Sequence, residues 1–190
     1  MSFLALDFET TGLDHRRDRV VEIGALRFSR RAASPGARPS WMEEAALVAL
    51  VDPDMAMPSG AFAIHGISDA DLAGAPPFSA LAPALLSLCG GAVIVAHNAP
   101  FDISFLRSEL DRAGMDAPAN PVLDTRLLAK AAFPRAGSYR LDSLVALLGL
   151  DRGCAHRALD DARACMGLLA ACAAALPCRP LGLIRGTAHG

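Results

Sequence analysis

The sequence has little of the positive charge that bulk binding of nucleic acid requires. Its 18 basic residues are outnumbered by 20 acidic ones, and the formal net charge is −2. No basic tail or domain-wide positive field is present, so any contact with nucleic acid must be local. Metal ions could supply part of the positive charge at such a contact.

Long apolar runs and paired cysteines are also missing. No uninterrupted apolar segment is long enough to span a bilayer. Asp7 and Glu9 interrupt the N-terminal apolar run, which argues against a signal peptide. The five cysteines include no C-x-x-C pair, and Cys154 near His156 lacks the partners of a zinc site or an activated thiol. We therefore expect a cytoplasmic protein without a membrane partner.

The chain has 190 residues, of which 53% are hydrophobic, and this suits one globular domain with a sizeable core. We expect that domain at 1–176 and a loosely attached C-terminal tail at 177–190. The apolar patterns predict an α/β fold that opens with three strands in an antiparallel meander. Further strands are predicted at 92–96 and 122–125, an exposed connection at 29–40, and helices at 78–89, 100–113, 126–133, 141–148 and 158–176.

The first predicted strand ends in the motif D-x-E-T-T-G at residues 7–12. Residues two apart on a strand point to the same side, so Asp7 and Glu9 aim together off its end. Two adjacent carboxylates repel each other unless a cation lies between them, and hard cations such as Mg²⁺ prefer oxygen ligands. A metal site is one interpretation, and a strand end with two solvated acids is the other.

Two later motifs add acids and a histidine. A-H-N-A-x-F-D at residues 96–102 follows the apolar fourth strand and places Asp102 in the first turn of a helix. If that strand runs parallel to the first, Asp102 shares the edge of the sheet where α/β proteins hold ligands. H-x-A-x-x-D opens the last helix from His156. Both acidic turns have a purely structural alternative, because a helix dipole stabilises any carboxylate at its N-terminus.

In this order the three motifs together resemble the DEDDh 3′→5′ exonucleases, the relatives of the proofreading subunit of bacterial replicative DNA polymerase. The resemblance covers residues 3–176 and includes I-H-G-I-S at 64–68 and L-D-T at 123–125. It implies a ribonuclease H-like fold, in which a mixed five-stranded sheet begins with an antiparallel meander, continues with parallel strands and is flanked by helices. The four acids and the histidine of the family name fall on Asp7, Glu9, Asp102, Asp161 and His156, where Asp161 is preferred to Asp160 by its spacing from the histidine.

The resemblance also implies a chemistry. Two divalent cations, Mg²⁺ with Mn²⁺ as a substitute, assist hydrolysis that releases nucleoside 5′-monophosphates from DNA 3′ ends. The four acids are the implied metal ligands, and His156 is the implied general base. By the same analogy the terminal nucleotide is bound by Thr10, Thr11, His65, Asn98 and Phe101, although a lone histidine such as His65 is also commonly a packed residue.

Substrate and partners stay open at this point. The implied partner is a nucleic-acid 3′ end, single-stranded or mispaired DNA, and an RNA or short-oligonucleotide exonuclease with the same site is the alternative. A non-catalytic nucleic-acid-binding module is a third interpretation, which the five intact positions disfavour. Only residues 177–190 follow the last predicted helix, so we expect a free-standing repair or clean-up enzyme rather than a stable polymerase partner. The sequence indicates no oligomeric state.

Overall fold

The structure is a computed structural model and describes residues 1–31, 40–151 and 153–176. Its strands are β1 (Ser2–Thr10), β2 (Val20–Arg31), β3 (Ser40–Leu50), β4 (Ala92–Ala96) and β5 (Val122–Asp124). Its helices are α1 (Ser59–His65), α2 (Asp69–Leu72), α3 (Phe78–Cys89), α4 (Pro100–Arg112), α5 (Thr125–Ala132), α6 (Leu141–Leu148) and α7 (Ala158–Ala175). The strands form one mixed sheet in the order β3-β2-β1-β4-β5, which confirms the predicted α/β class with five strands.

The pairing of β1 decides where the site forms. β1 is antiparallel to β2 and parallel to β4, and β4 is parallel to β5. The carboxyl ends of β1, β4 and β5 therefore lie at the same edge of the sheet. The parallel relation that the sequence left conditional is present, so the helix that carries Asp102 starts at the edge where Asp7 and Glu9 end β1.

The paired part of β2 and β3 is longer than the apolar pattern predicted. β2 continues beyond Phe28, and β3 begins before Ala45. Trp41 supplies the physical reason, because its ring packs edge-on against Phe3 and Phe28 and extends the apolar face of the sheet. At both of its ends the predicted connection is therefore strand, although Arg30 and Arg31 are exposed as predicted.

Two predicted segments fall outside the described residues. They are the centre of that connection, 32–39, and the C-terminal tail, 177–190. The domain boundary at residue 176 stays a prediction. Within the part of the chain that the structure describes, no helix has both the length and the apolar character needed to cross a bilayer.

Alternation along β1 divides its side chains between two layers of helices. Leu4 and Leu6 belong to the core that α3 and α4 cover, together with Phe105 of α4. Ala5 belongs to the core that α7 covers, together with Cys165. Since residues two apart share a face, the acids that follow Ala5 at positions 7 and 9 lie on the α7 side of the sheet.

Gly24 of β2 allows α7 to approach the sheet closely. A Cβ at this position would overlap the backbone of Ala158 and Leu159. We expect Gly24→Ala to lower the free energy of unfolding by about 3 kcal/mol, because the helix backbone must shift. Urea denaturation measures this loss. Gly60→Ala in α1 is the matched control, since nothing lies within 4 Å of the added carbon. Equal losses in the two variants would contradict the prediction.

Candidate active site

Three groups at the end of β1 and the start of α7 form a compact donor set. One ligand atom each from Glu9, His156 and Asp161 lies within 4.8 Å of the other two. Glu9 and Asp161 are buried, and His156 is partly buried. Carboxylate oxygens and imidazole nitrogens are ligands that divalent cations accept, so the residues present fit a metal ion.

Asp102 is held against β1 beside these groups. Its Oδ1 accepts a hydrogen bond of 3.2 Å from the backbone N–H of Phe8, the residue between the two acids of β1. Asp102 is only 2% exposed. Burial, with smaller contributions from the charges of Glu9 and Asp124, raises its pKa to about 8 against the lowering effect of its backbone hydrogen bonds.

Asp7 lies at the electrostatic centre of the acids. Burial raises its pKa well above the ordinary value, and the charges of Asp102, Asp161 and Glu9 add to that rise. Asp7 is outside the compact donor set, but it lines one cavity together with His156 and Asp161. The structure thus brings the four predicted acids and the predicted histidine to one place, while their individual roles stay predictions.

These shifts predict how the stability of the metal-free protein depends on pH. A carboxyl whose folded pKa exceeds its unfolded pKa binds its proton more tightly in the folded state. The free energy of unfolding should therefore fall as pH rises from 5 to 8, by up to about 1.4 kcal/mol per pH unit for each such group. Urea denaturation in EDTA at stepped pH measures this slope.

Asp102→Asn should make the free energy of unfolding fall less steeply with pH, because it removes the contribution of one carboxyl group. Asp111→Asn, at an exposed position on the same helix, is the control and should leave the slope unchanged. Stability that rises with pH across this range would show that the buried acids do not carry the raised pKa values.

Sequence reasoning missed Glu22 of β2. Its carboxylate is 1% exposed and accepts hydrogen bonds of 2.7 Å from Arg157 Nη2 and 3.0 Å from the backbone N–H of Ala158. It therefore caps the N-terminus of α7, where the helix dipole favours a negative charge. This contact fixes the segment that carries His156 and Asp161. The available signal was an acid inside an apolar strand pattern, because a buried charge needs a partner.

Three of the predicted nucleotide contacts lie at the end of β1 and at the end of α1. Thr10 and Thr11 are buried at the end of β1. His65 is buried at the end of α1, and its Nδ1 accepts a hydrogen bond of 3.0 Å from the backbone N–H of Ile67. Burial lowers the pKa of His65, the backbone of Thr10 and the charge of Glu22 oppose this shift, and the charge of His156 adds a smaller lowering. Within the described residues, Nε2 of His65 has no hydrogen-bond partner.

The other two predicted contacts behave differently. Asn98 has a left-handed backbone with φ of 68°, and its Oδ1 accepts a hydrogen bond of 3.1 Å from Arg126 Nη1. It lines a cavity of about 310 Å³ that also contains Asp7 and His156. Phe101 packs instead against Phe105, with 4.9 Å between the ring centroids, so its ring belongs in part to the core.

Comparisons with known proteins agree with this geometry. A family model described as Exonuclease matches residues 4–169. A DNA polymerase III subunit epsilon from Treponema pallidum is 39% identical over 170 residues, which cover 88% of this chain and 74% of that protein. A DNA polymerase III subunit epsilon-like protein from Rhodobacter capsulatus is 37% identical over 166 residues, which cover 85% of this chain and 22% of that protein.

Solved structures show the fold. E. coli exonuclease I in complex with a dA16 oligonucleotide superposes with a TM-score of 0.76 at 23% identity, over 93% of this chain and 41% of that one. The predicted ribonuclease H-like fold is confirmed. The matched family model covers most of the chain, and the motifs that it spans include every predicted acid. The chain therefore belongs to the exonuclease family, of the DEDDh 3′→5′ type that its motifs predicted.

Proposed function

We propose that this chain is a metal-dependent 3′→5′ exonuclease that releases nucleoside 5′-monophosphates from DNA 3′ ends by a two-metal mechanism. One observation carries the proposal. Four acids from β1, α4 and α7 converge beside one imidazole at the carboxyl edge of the sheet. A purely structural role does not account for this arrangement, because burying mutually repelling carboxylates destabilises the fold.

Asp7, Glu9, Asp102 and Asp161 are the proposed ligands of two divalent cations, Mg²⁺ or, as a substitute, Mn²⁺. When bound, the cations neutralise the scissile phosphate, activate water and stabilise the leaving 3′-oxygen. The chain contributes the arrangement of the acids. Asp7 and Asp102 have raised pKa values and release their protons when cations bind, so metal affinity should increase with pH.

His156 is the proposed general base. It lies in the loop directly before α7, and Glu22 holds that helix start through Arg157 and Ala158. A neutral imidazole ring can accept a proton from the attacking water and return it to solvent. The partial exposure of His156 leaves a route for that proton.

The proposed substrate is a single-stranded or mispaired DNA 3′ end. Names of relatives support DNA, since they are DNA polymerase III epsilon proteins, and the exonuclease I neighbours were solved with DNA oligonucleotides. Thr10, Thr11 and His65 are proposed to bind the terminal nucleotide, together with Asn98 and Phe101. An RNA or short-oligonucleotide substrate is an outcome that the assay below distinguishes.

The test uses purified protein with Mg²⁺ or Mn²⁺ on matched DNA and RNA strands that carry either a 5′ or a 3′ label. We expect a 5′-labelled DNA strand to shorten stepwise from its 3′ end and a circular single strand to resist. Faster shortening of the RNA strand would favour the RNA alternative. Endonucleolytic products, or activity that EDTA does not abolish, would contradict the proposed function.

A further inference from the structure

Two arginines share the cavity with the acids. Arg126 lies in the first turn of α5, and Arg140 directly precedes α6. Both side chains are exposed, and both line the same 310 Å³ cavity as Asp7 and Asp161. The proposed function places the scissile phosphate at the acids of this cavity and does not use the part that Arg126 and Arg140 line, here called its cationic side, although Asp142 lines the cavity as well.

Neither guanidinium is neutralised by an acid in the part of the chain that the structure describes. Arg19, Arg112 and Arg157 each pair with a carboxylate that is at most 2% exposed. Within residues 1–31, 40–151 and 153–176, Arg126 forms one side-chain hydrogen bond, to Asn98, and neither it nor Arg140 forms an ion pair. Guanidinium groups in this state offer paired N–H donors that match a phosphate.

His97 holds the two arginine segments at a fixed separation. Its Nδ1 lies 3.0 Å from Oγ1 of Thr125, the residue before Arg126. Its Nε2 lies 2.9 Å from the backbone oxygen of Tyr139, the residue before Arg140. Burial lowers the pKa of His97, which favours the neutral ring that donates from Nε2 to that carbonyl. A single imidazole thus connects the starts of α5 and α6.

The order of the strands gives the cationic side a direction along the substrate. Thr10 and Thr11 lie at the end of β1 and His65 ends α1, and these three are not among the residues that line the cavity of the arginines. Arg126 follows β5, which β4 separates from β1. A DNA strand whose terminal nucleotide lies against Thr10, Thr11 and His65, with its scissile phosphate at the acids, would extend into the cavity that the arginines line. Its next phosphate then comes to the cationic side of the cavity.

We propose that Arg126 and Arg140 form a binding subsite for the backbone phosphate on the 5′ side of the scissile linkage. The proposal rests on the proposed function for its direction along the strand. The two guanidinium groups bind the anionic oxygens of that phosphate, and no base is read. The subsite tightens binding of any sequence and favours substrates of at least three nucleotides.

The test combines protein variants with an altered substrate. The substrate is an oligothymidylate whose second linkage from the 3′ end is a neutral methylphosphonate. We expect this change to lower kcat/KM of the unaltered protein by about 10-fold or more, since hydrogen bonds to charged groups are involved. The double variant Arg126→Gln with Arg140→Gln should show a similar loss of kcat/KM on ordinary DNA. In that variant the methylphosphonate should lower kcat/KM little further.

Binding provides a readout that is independent of turnover. In an Asp7→Asn background with Mg²⁺, fluorescence anisotropy measures the Kd of the same oligonucleotides at several salt concentrations. Loss of the subsite should make the slope of log K against log salt shallower by about 0.7, the value for one phosphate of a single strand. Arg17→Gln with Arg107→Gln, at two exposed positions outside the cavity, is the charge-matched control and should change neither quantity.

Three results would overturn the subsite. In the first, the losses in kcat/KM caused by the double variant and by the methylphosphonate multiply when the two are combined. In the second, the slope of log K against log salt is unchanged in the double variant. In the third, the double variant and a methylphosphonate share their effect only when the methylphosphonate is at the third linkage from the 3′ end. Thermal denaturation shows whether the double variant is folded. If the unaltered protein fails to shorten DNA at all, the proposed function fails, and the binding measurement still decides whether the arginines contact that phosphate.

Discussion

We expect Asp7→Asn to lower kcat on a DNA 3′ end roughly 10⁴-fold, because charge stabilisation by metal ions supplies several kcal/mol of the barrier reduction. The change removes one charge from a proposed metal ligand and keeps the size of the side chain. Asp7 lies among Asp102, Asp161 and Glu9, whose charges all raise its pKa. A neutral amide relieves this repulsion, so the metal-free variant should be at least as stable as the unaltered protein at pH 8.

Measurement of both quantities separates the two classes of protein that the sequence left open. Initial rates at saturating Mg²⁺ measure activity, and thermal denaturation in EDTA measures stability. A catalytic site predicts lost turnover with retained stability. If the protein is a non-catalytic binding module, the substitution should change only its affinity for nucleic acid, and only modestly. Asp111→Asn, on the exposed side of α4, controls for the loss of one negative charge and should retain full activity.

His156→Asn should lower kcat by about 10²–10⁴-fold, the usual contribution of a positioned general base. The backbone of His156 is left-handed with φ of 58°, and asparagine and glycine tolerate that conformation better than alanine does. His156→Asn and His156→Gly therefore remove the imidazole without strain. A general base acts only when unprotonated. At Mg²⁺ concentrations that saturate the acids at every pH, the acid limb that His156 contributes to the pH–rate profile should be absent from both variants.

Metal binding distinguishes a base from a ligand at this position. A ring atom of His156 is within 4.8 Å of ligand atoms of Glu9 and Asp161, so the histidine could also hold a cation directly. A general base predicts unchanged Mn²⁺ affinity in His156→Asn. A ligand predicts weaker Mn²⁺ binding together with the loss of rate. Full activity in the variant, with an unchanged pH profile, would exclude both roles.

Local patterns were sufficient to predict the elements that carry the site. Helices α3 to α7 begin and end within one residue of their predicted bounds, because apolar spacing, Gly stops and Pro100 act over a few residues. The convergence of the acids could be stated only as a condition, since spacing along the chain does not reveal whether β4 runs parallel to β1. Family resemblance supplied that relation, and the pairing of β1 with β4 confirms it.

The contacts that sequence reasoning missed depend on side chains far apart in the chain. Glu22 gains its role from Arg157 and Ala158, which reach it only after α7 packs on the sheet. Arg126 and Arg140 look like ordinary surface arginines until His97 brings their segments to the same cavity. The extension of β2 and β3 likewise depends on Trp41 meeting Phe3, a contact that no local pattern encodes.

A crystal structure with anomalous scattering, from crystals grown in saturating Mn²⁺, tests the convergence of the acids most directly. We predict two manganese peaks roughly 3.5–4 Å apart, the separation typical of two-metal sites, contacted by Asp7, Glu9, Asp102 and Asp161. A map without manganese at this edge of the sheet, or carboxylates that point to separate surfaces, would contradict the proposed mechanism.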